Sequence, residues 1–234
     1  MVGAYYPGPP VPTPATREVD RAALTNVLLA SVLALVGGAV GIVVLFGAGA
    51  FSLYSVWVMN AGSTIAFGAL FVVVVLVSGA VEIAVILLLR TAFHGLKSVD
   101  ARFSTPSTLT LMLVVGFILI LVSLYPLLLG VGSQLDCLAN AKNTLAGSCP
   151  PGGYFLAAIA LIGIGGLIAF IGFIGMLLGI WRLGSRYNND LFKVGAILLI
   201  IPVLSVVGAI LVLVASSSER DRVSAAGRLG TPSF

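Results

Sequence analysis

Charge is what this sequence has least of. Its 234 residues include 12 Lys and Arg and 8 Asp and Glu, so only 9% of the chain is charged. A soluble domain carries about 25%. Histidine occurs once, as His94, and cysteine twice, as Cys137 and Cys149. So few soft ligands do not make a cluster with metal-ligand spacing, and no metal site is expected. No glycine-rich phosphate loop follows a strand-like run, and no nucleophile stands beside a plausible base. The expectation is a protein that is not an enzyme and holds no cofactor. The net charge of +4 is spread over the ends of apolar runs. Basic residues placed there set orientation and meet anionic lipid. They are not a nucleic-acid signal.

What the chain has is hydrophobic length. Hydrophobic residues make up 59% of it, and the mean hydropathy is +1.18. Five apolar runs stand out, at about 24–48, 62–89, 108–131, 154–181 and 194–215. Each exceeds the roughly 18 residues that mark a membrane span. The expected fold is all-α: a polytopic bundle of five transmembrane helices with a short amphipathic interfacial helix. Residues 17–217 would form it, between a disordered Pro-rich tail, 1–16, and a polar C-terminal tail, 218–234.

The first tail, MVGAYYPGPPVPTPAT, holds five prolines, which preclude a helix and favour an extended chain. Polar residues at Thr16-Arg17-Glu18 precede the first helix, which is expected to begin near Arg17. Gly37 and Gly41 form a small-xxx-small pair suited to close helix packing. The connection 49–61 is uncharged, and its Phe51, Tyr54 and Trp57 suit a membrane interface. Residues 90–105 leave the membrane, with Phe93, Leu96, Val99 and Phe103 on one stripe of a surface helix. His94 reads as a solvated or interfacial histidine. Thr105-Pro106 reads as the cap and first residue of span three. Pro126 is expected to kink that span or end its regular part.

Glu82 is the one acid well inside an apolar run. It lies eight residues before Arg90, about 12 Å inside that end of span two at 1.5 Å per residue. A charged acid at mid-membrane costs about 3 kcal/mol on insertion scales, so it must face protein or water. One reading makes it a proton or ion ligand on a permeation path. The other makes it a staple, protonated or paired with a serine, a carbonyl or a base.

The loop 132–153 holds both cysteines, and a Cys137–Cys149 disulfide is expected if that loop faces an oxidising compartment. Span four is rich in glycine, including Gly175 and Gly179 of the GMLLG unit, which places it at the bundle centre. The stretch from Gly179 to Lys193, GIWRLGSRYNNDLFK, follows. It sets Arg182, Arg186 and Lys193, with Trp181 and Tyr187, at headgroup depth. Asp190 is placed to cap span five, which carries Pro202 and Gly208 and can kink.

Five spans put the termini on opposite sides. A cytoplasmic N-terminus gives that side eight basic residues and the other four, Lys142, Arg220, Arg222 and Arg228. Both the basic bias and the disulfide then favour a cytoplasmic N-terminus, with the cysteine loop and the C-terminus outside. The tail arginines dissent.

The segment WRLGSRYNNDLFKVGAILLIIPVLSVVGAIL, Trp181 to Leu211, resembles an archaeal family of multi-spanning membrane proteins known as domain of unknown function 973. FHGLKSVDARFSTPSTLTLMLVVG, Phe93 to Gly116, is similar to its middle region. The resemblance covers most of the chain after span one. It implies an archaeal origin and a plasma-membrane location. It carries over no mechanism and no ligand residue.

Two functions compete. The first is a non-enzymatic accessory subunit or membrane-organising scaffold, with membrane lipids and a protein partner or further copies of itself. The second is a small-solute or ion transporter or channel using Glu82. A lipid-modifying enzyme ranks last, for want of an Asp, His or Cys cluster at an interface.

Overall fold

Long apolar runs have one way to satisfy their backbone in hydrocarbon as a single chain segment, the α-helix. The computed structural model describes residues 13–58, 61–141, 152–201 and 204–229. Side chains are described outside 41–72, 74, 131–141 and 226–229. These residues form α1 (Pro14–Val58), α2 (Ala61–Lys97), a single 3-10 turn (Ala101–Phe103), α3 (Ser104–Ala141), α4 (Gly153–Tyr187), α5 (Asp190–Leu198) and α6 (Ser205–Leu229). No strand occurs among the described residues. Four stretches are long and apolar enough to cross a membrane: Pro14–Val40, Val75–Lys97, Ala101–Gly130 and Gly153–Tyr187.

The expected fifth span is not one helix. The apolar run 194–215 divides into α5 and the first half of α6. The two run antiparallel. Asn189, at the start of α5, bonds Glu219, late in α6, at 2.8 Å. Midway, a Cβ added to Gly195 would lie 3.1 Å from the Gly208 carbonyl oxygen. At the far end, one added to Gly208 would lie 2.9 Å from the Leu199 nitrogen. Two glycines thus let the backbones touch near the bend. The bend is wound from tight turns, with Ile200, Ile201 and Leu204 donating to Ile197, Leu198 and Ile201. Those bonds keep the N–H groups paired inside an apolar environment. The nine residues of α5 rise only about 13 Å, less than half of a 30 Å hydrocarbon layer. The chain doubles back after α5.

The expected surface helix at 90–105 is also absent as a separate element. α2 continues to Lys97, and a short turn and the 3-10 segment lead straight into α3. The apolar stripe is covered by protein: Phe93, Leu96 and Phe103 are fully buried. Phe93 stacks on Phe103 with ring centroids 6.2 Å apart. His94 is exposed. Helix starts shift slightly from expectation. α1 begins at Pro14, and α3 begins at Ser104 with Pro106 in its first turn. α3 runs through Pro126, and α1 stays helical through 49–58 of the expected connection 49–61.

α4 carries buried small residues spaced seven apart, Ala158, Gly165, Gly172 and Gly179; Gly165 and Gly172 meet α3, and Gly179 meets Phe93 of α2. A seven-residue repeat holds one face towards a neighbour along the whole helix. A Cβ on Gly172 would come within 2.1 Å of the Leu113 nitrogen, and one on Gly116 within 2.4 Å of the Ala169 nitrogen. The helices therefore meet backbone to backbone. In lipid, where apolar burial gives no bias between helices and acyl chains, such close packing is a main source of association. Outside, α4 exposes Leu167, Phe170, Ile171 and Ile174.

The Gly172→Leu variant is expected to lose the folded protein in mild detergent, because overpacking against backbone cannot be relieved by a rotamer change. Gly163→Ala, with nothing within 4 Å of its Cβ, should leave the unfolding midpoint unchanged. Thermal unfolding followed by size-exclusion chromatography distinguishes the two.

Candidate functional site

Two features concentrate the polar chemistry of the molecule. The first is a layer at the end where α1 begins, α2 meets α3, and α4 gives way to α5. α4 is ended by Asn188, at φ 51°, the one non-glycine residue with positive φ among those described. That left-handed turn aims the rest of the polar stretch at its neighbours. Arg186 bonds Asp20 of α1 at 2.9 and 3.2 Å and reaches Asp100, before α3, at 3.7 Å. Tyr187 donates its hydroxyl to the same Asp20, at 3.1 Å. Arg182 donates to the Arg102 carbonyl. Asn189 accepts from the Leu191 N–H and so caps α5, one residue before the expected Asp190. Its amide donates to Glu219, to which Arg222 also donates. Asp20 and Glu219 are 7% and 3% exposed. A few side chains thus tie α1, the α2–α3 turn, α4, α5 and α6 together at one level.

The five residues expected at headgroup depth sit in or beside this layer. Trp181 is exposed. Lys193 reaches Asp190 at 2.7 Å, a pair open to solvent on its acid side. Arg182, Arg186 and Tyr187 are engaged as above. The sequence reading missed Asp20, Asp100, Asn189 and Glu219. The available signal was position, since each is a polar residue abutting an apolar run.

The second feature is a cleft of about 420 Å3 between α1, α2, α3, α4 and the α5–α6 bend. It lies beyond the tightly packed core that backs the polar layer. Its lining is apolar apart from Glu82, Ser31 and Ser205. Ser31 donates its hydroxyl to the Val27 carbonyl one turn back, at 2.9 Å. Glu82 is exposed and makes no hydrogen bond or ion pair with a described residue. No Lys, Arg or His lines the cleft. The bend contributes Leu199, Ser205, Val206, Ala209 and Val212. Glu82 and the returning hairpin thus meet in one cavity, which the sequence did not disclose.

Among the described residues, no three His, Cys, Asp or Glu side chains gather as a metal site. Cys149 lies outside the described residues and the side chain of Cys137 is not among those described, so the expected bridge falls outside them, as does most of the Pro-rich tail.

Four apolar helices long enough to cross, a half-length hairpin and one polar end define a multi-spanning helical membrane protein. Residues 17–227 match the family described as a protein of unknown function, DUF973, and the chain belongs to that family. The match takes in both stretches on which the resemblance rested, Phe93–Gly116 and Trp181–Leu211. No curated protein and no solved structure matches the chain.

The Arg186→Gln variant takes the shared cation from Asp20 and Asp100, leaving Asp20 the Tyr187 hydroxyl and Asp100 the Arg102 N–H, and is expected to cost about 3 kcal/mol. Combining it with Asp20→Asn should recover part of that loss. Asp190→Ala, which removes only an exposed partner, should stay within about 0.5 kcal/mol of wild type. Denaturant unfolding in detergent measures all three.

Proposed function

We propose that this protein is a non-enzymatic cell-membrane protein that holds a small solute or ion at Glu82, on a path into the membrane. The observation that carries this reading is a carboxylate lining a cleft without a described partner. A helix-stapling acid needs a donor beside it, because an unpaired charge in a low-dielectric site is costly. The hairpin adds support. Non-helical backbone at membrane depth is tolerated where it is buried in protein or lines a water-filled cavity, as in transporters with broken helices. A second reading, an accessory subunit or membrane organiser, draws on the exposed apolar side of α4, which suits a partner helix as well as lipid. Trp181 and Lys193 fit contacts to lipid headgroups in either case.

The hairpin also bears on orientation. It returns the tail to the side on which the chain starts, so the termini share a side. Arg220, Arg222 and Arg228 then join the other basic residues, leaving eleven of the twelve on one side and Lys142 on the other. That bias is far stronger than the eight to four of a five-span arrangement, and it favours placing both termini in the cytoplasm.

In a variant lacking the two native cysteines, Thr13→Cys and Ser233→Cys are expected to react with an impermeant thiol reagent only from the cytoplasmic face. Ser148→Cys should react only from the opposite face. Labelling of Thr13→Cys and Ser233→Cys from different faces would restore a fifth crossing.

The function itself is tested by flux. In liposomes under an imposed potential, wild-type protein is expected to pass protons or small cations, and Glu82→Gln to reduce the rate at least tenfold. Flux equal in the two would remove Glu82 from any path. A stoichiometric partner retained through gentle-detergent purification, with no flux, would establish the accessory role instead.

A further inference from the structure

The lining of the cleft narrows what it takes, and the narrowing rests on the solute-holding reading above. We propose that the Glu82 cleft binds an amphiphilic organic cation, a molecule with one positive charge on an apolar body.

Other occupants meet obstacles in the lining. An anion would face the Glu82 carboxylate with no basic side chain in the lining. A neutral apolar molecule would cover the carboxylate and leave it unpaired, which buried acids do not tolerate. A bare divalent cation takes about six to eight oxygen ligands when it sheds its water. The lining side chains offer one carboxylate and two hydroxyls, and the Ser31 hydroxyl already donates to a backbone carbonyl.

An organic cation meets none of these obstacles. Its charge is dispersed and needs few ligands, so a single carboxylate suffices. Phe117 and Phe173 in the lining supply aromatic rings, which attract cations more strongly when water is excluded. Met176, Leu113 and Val85 receive the apolar body. The cavity falls within the range of about 300–1,000 Å3 usual for small-molecule sites, which are mostly apolar with a few placed polar groups. Glu82 is exposed, so a ligand reaches it without opening the packed core behind the polar layer.

The probe is radiolabelled tetraphenylphosphonium, measured by equilibrium dialysis against the purified full-length protein in mild detergent. Wild type is expected to bind it saturably. Glu82→Gln should weaken binding at least tenfold. Glu82→Asp, which keeps the charge, should stay within a few-fold of wild type. Tetraphenylborate has the same shape and the opposite charge, and measured alone it should show no saturable binding. Both variants must elute and melt as wild type does, which is expected because Glu82 makes no described contact. Equal binding by wild type and Glu82→Gln overturns the proposal, since the probe would then be partitioning into micelle or apolar surface. Absence of saturable binding also overturns it. If binding fails while Glu82-dependent flux of protons or inorganic cations persists, the ligand class is wrong and the solute path stands. If both fail, both readings fall.

Discussion

One guanidinium holds the polar end of this molecule in register. Arg186 spans Asp20 and Asp100, two acids that belong to different parts of the chain, and Tyr187 shares Asp20 with it. In water such a pair would be one contact among many. At the edge of a bilayer it decides more, because apolar side chains gain little by choosing protein over lipid. A helix can slide or rotate against its neighbour with small loss until something directional fixes it. A bidentate Arg–carboxylate contact is directional in distance and plane. The hydrogen bonds of Arg182 and Asn189 add two further points at the same level. The apolar core that follows, from Leu24, Phe93, Leu183 and Phe192, packs behind a frame already set. The polar stretch supplies the tie, and the hairpin after it is an element it anchors.

Shape complements charge. The small-residue stripe of α4 lets α3 and α4 touch along their backbones far from the polar layer. α1 and α2 lack so regular a stripe, and the packed core thins beyond the polar end. That difference leaves the cleft. A cavity here is the result of tight packing on one flank, a hairpin too short to fill the other, and small residues such as Ala30, Ala34 and Gly38 on α1.

Hydropathy made the membrane class legible, and four crossing-length helices agree with it. It could not make the fifth run legible. A window of apolar residues is blind to direction, and 194–215 is as apolar as a span while bending back on itself. The needed signals were present but ambiguous. Pro202 and Gly208 read equally as a kink, and Gly195 as ordinary small-residue packing. The tail arginines disagreed with a five-span orientation. The stripe at 93–103 misled for a related reason. Periodicity shows that one side of a helix is apolar, but a membrane surface and the interior of a bundle use the same pattern. Asp20 and Glu219 were missed because a buried acid near an apolar run looks like a solvated flank until its partner is known. Glu82 was legible as an anomaly, though its cleft was not, since the lining comes from five helices and a bend.

The depth of the bend and the depth of Glu82 are connected. α5 rises about 13 Å before it breaks, and Glu82 lies fifteen residues, about 22 Å, from the end of α2 at Lys97, so the cleft runs from the level of the bend to that of Glu82. A continuous helix in place of the hairpin would carry on past this level and close the space opposite α2. Breaking it leaves space there, lined by Ser205 and the turn of the chain. An acid at that depth is tolerable only where water or a counter-charge reaches it, and irregular backbone only where protein or an aqueous cavity surrounds it. Each feature alone would be a local defect in an apolar bundle. Placed together they line one cleft, and the polar layer holds the hairpin beside it.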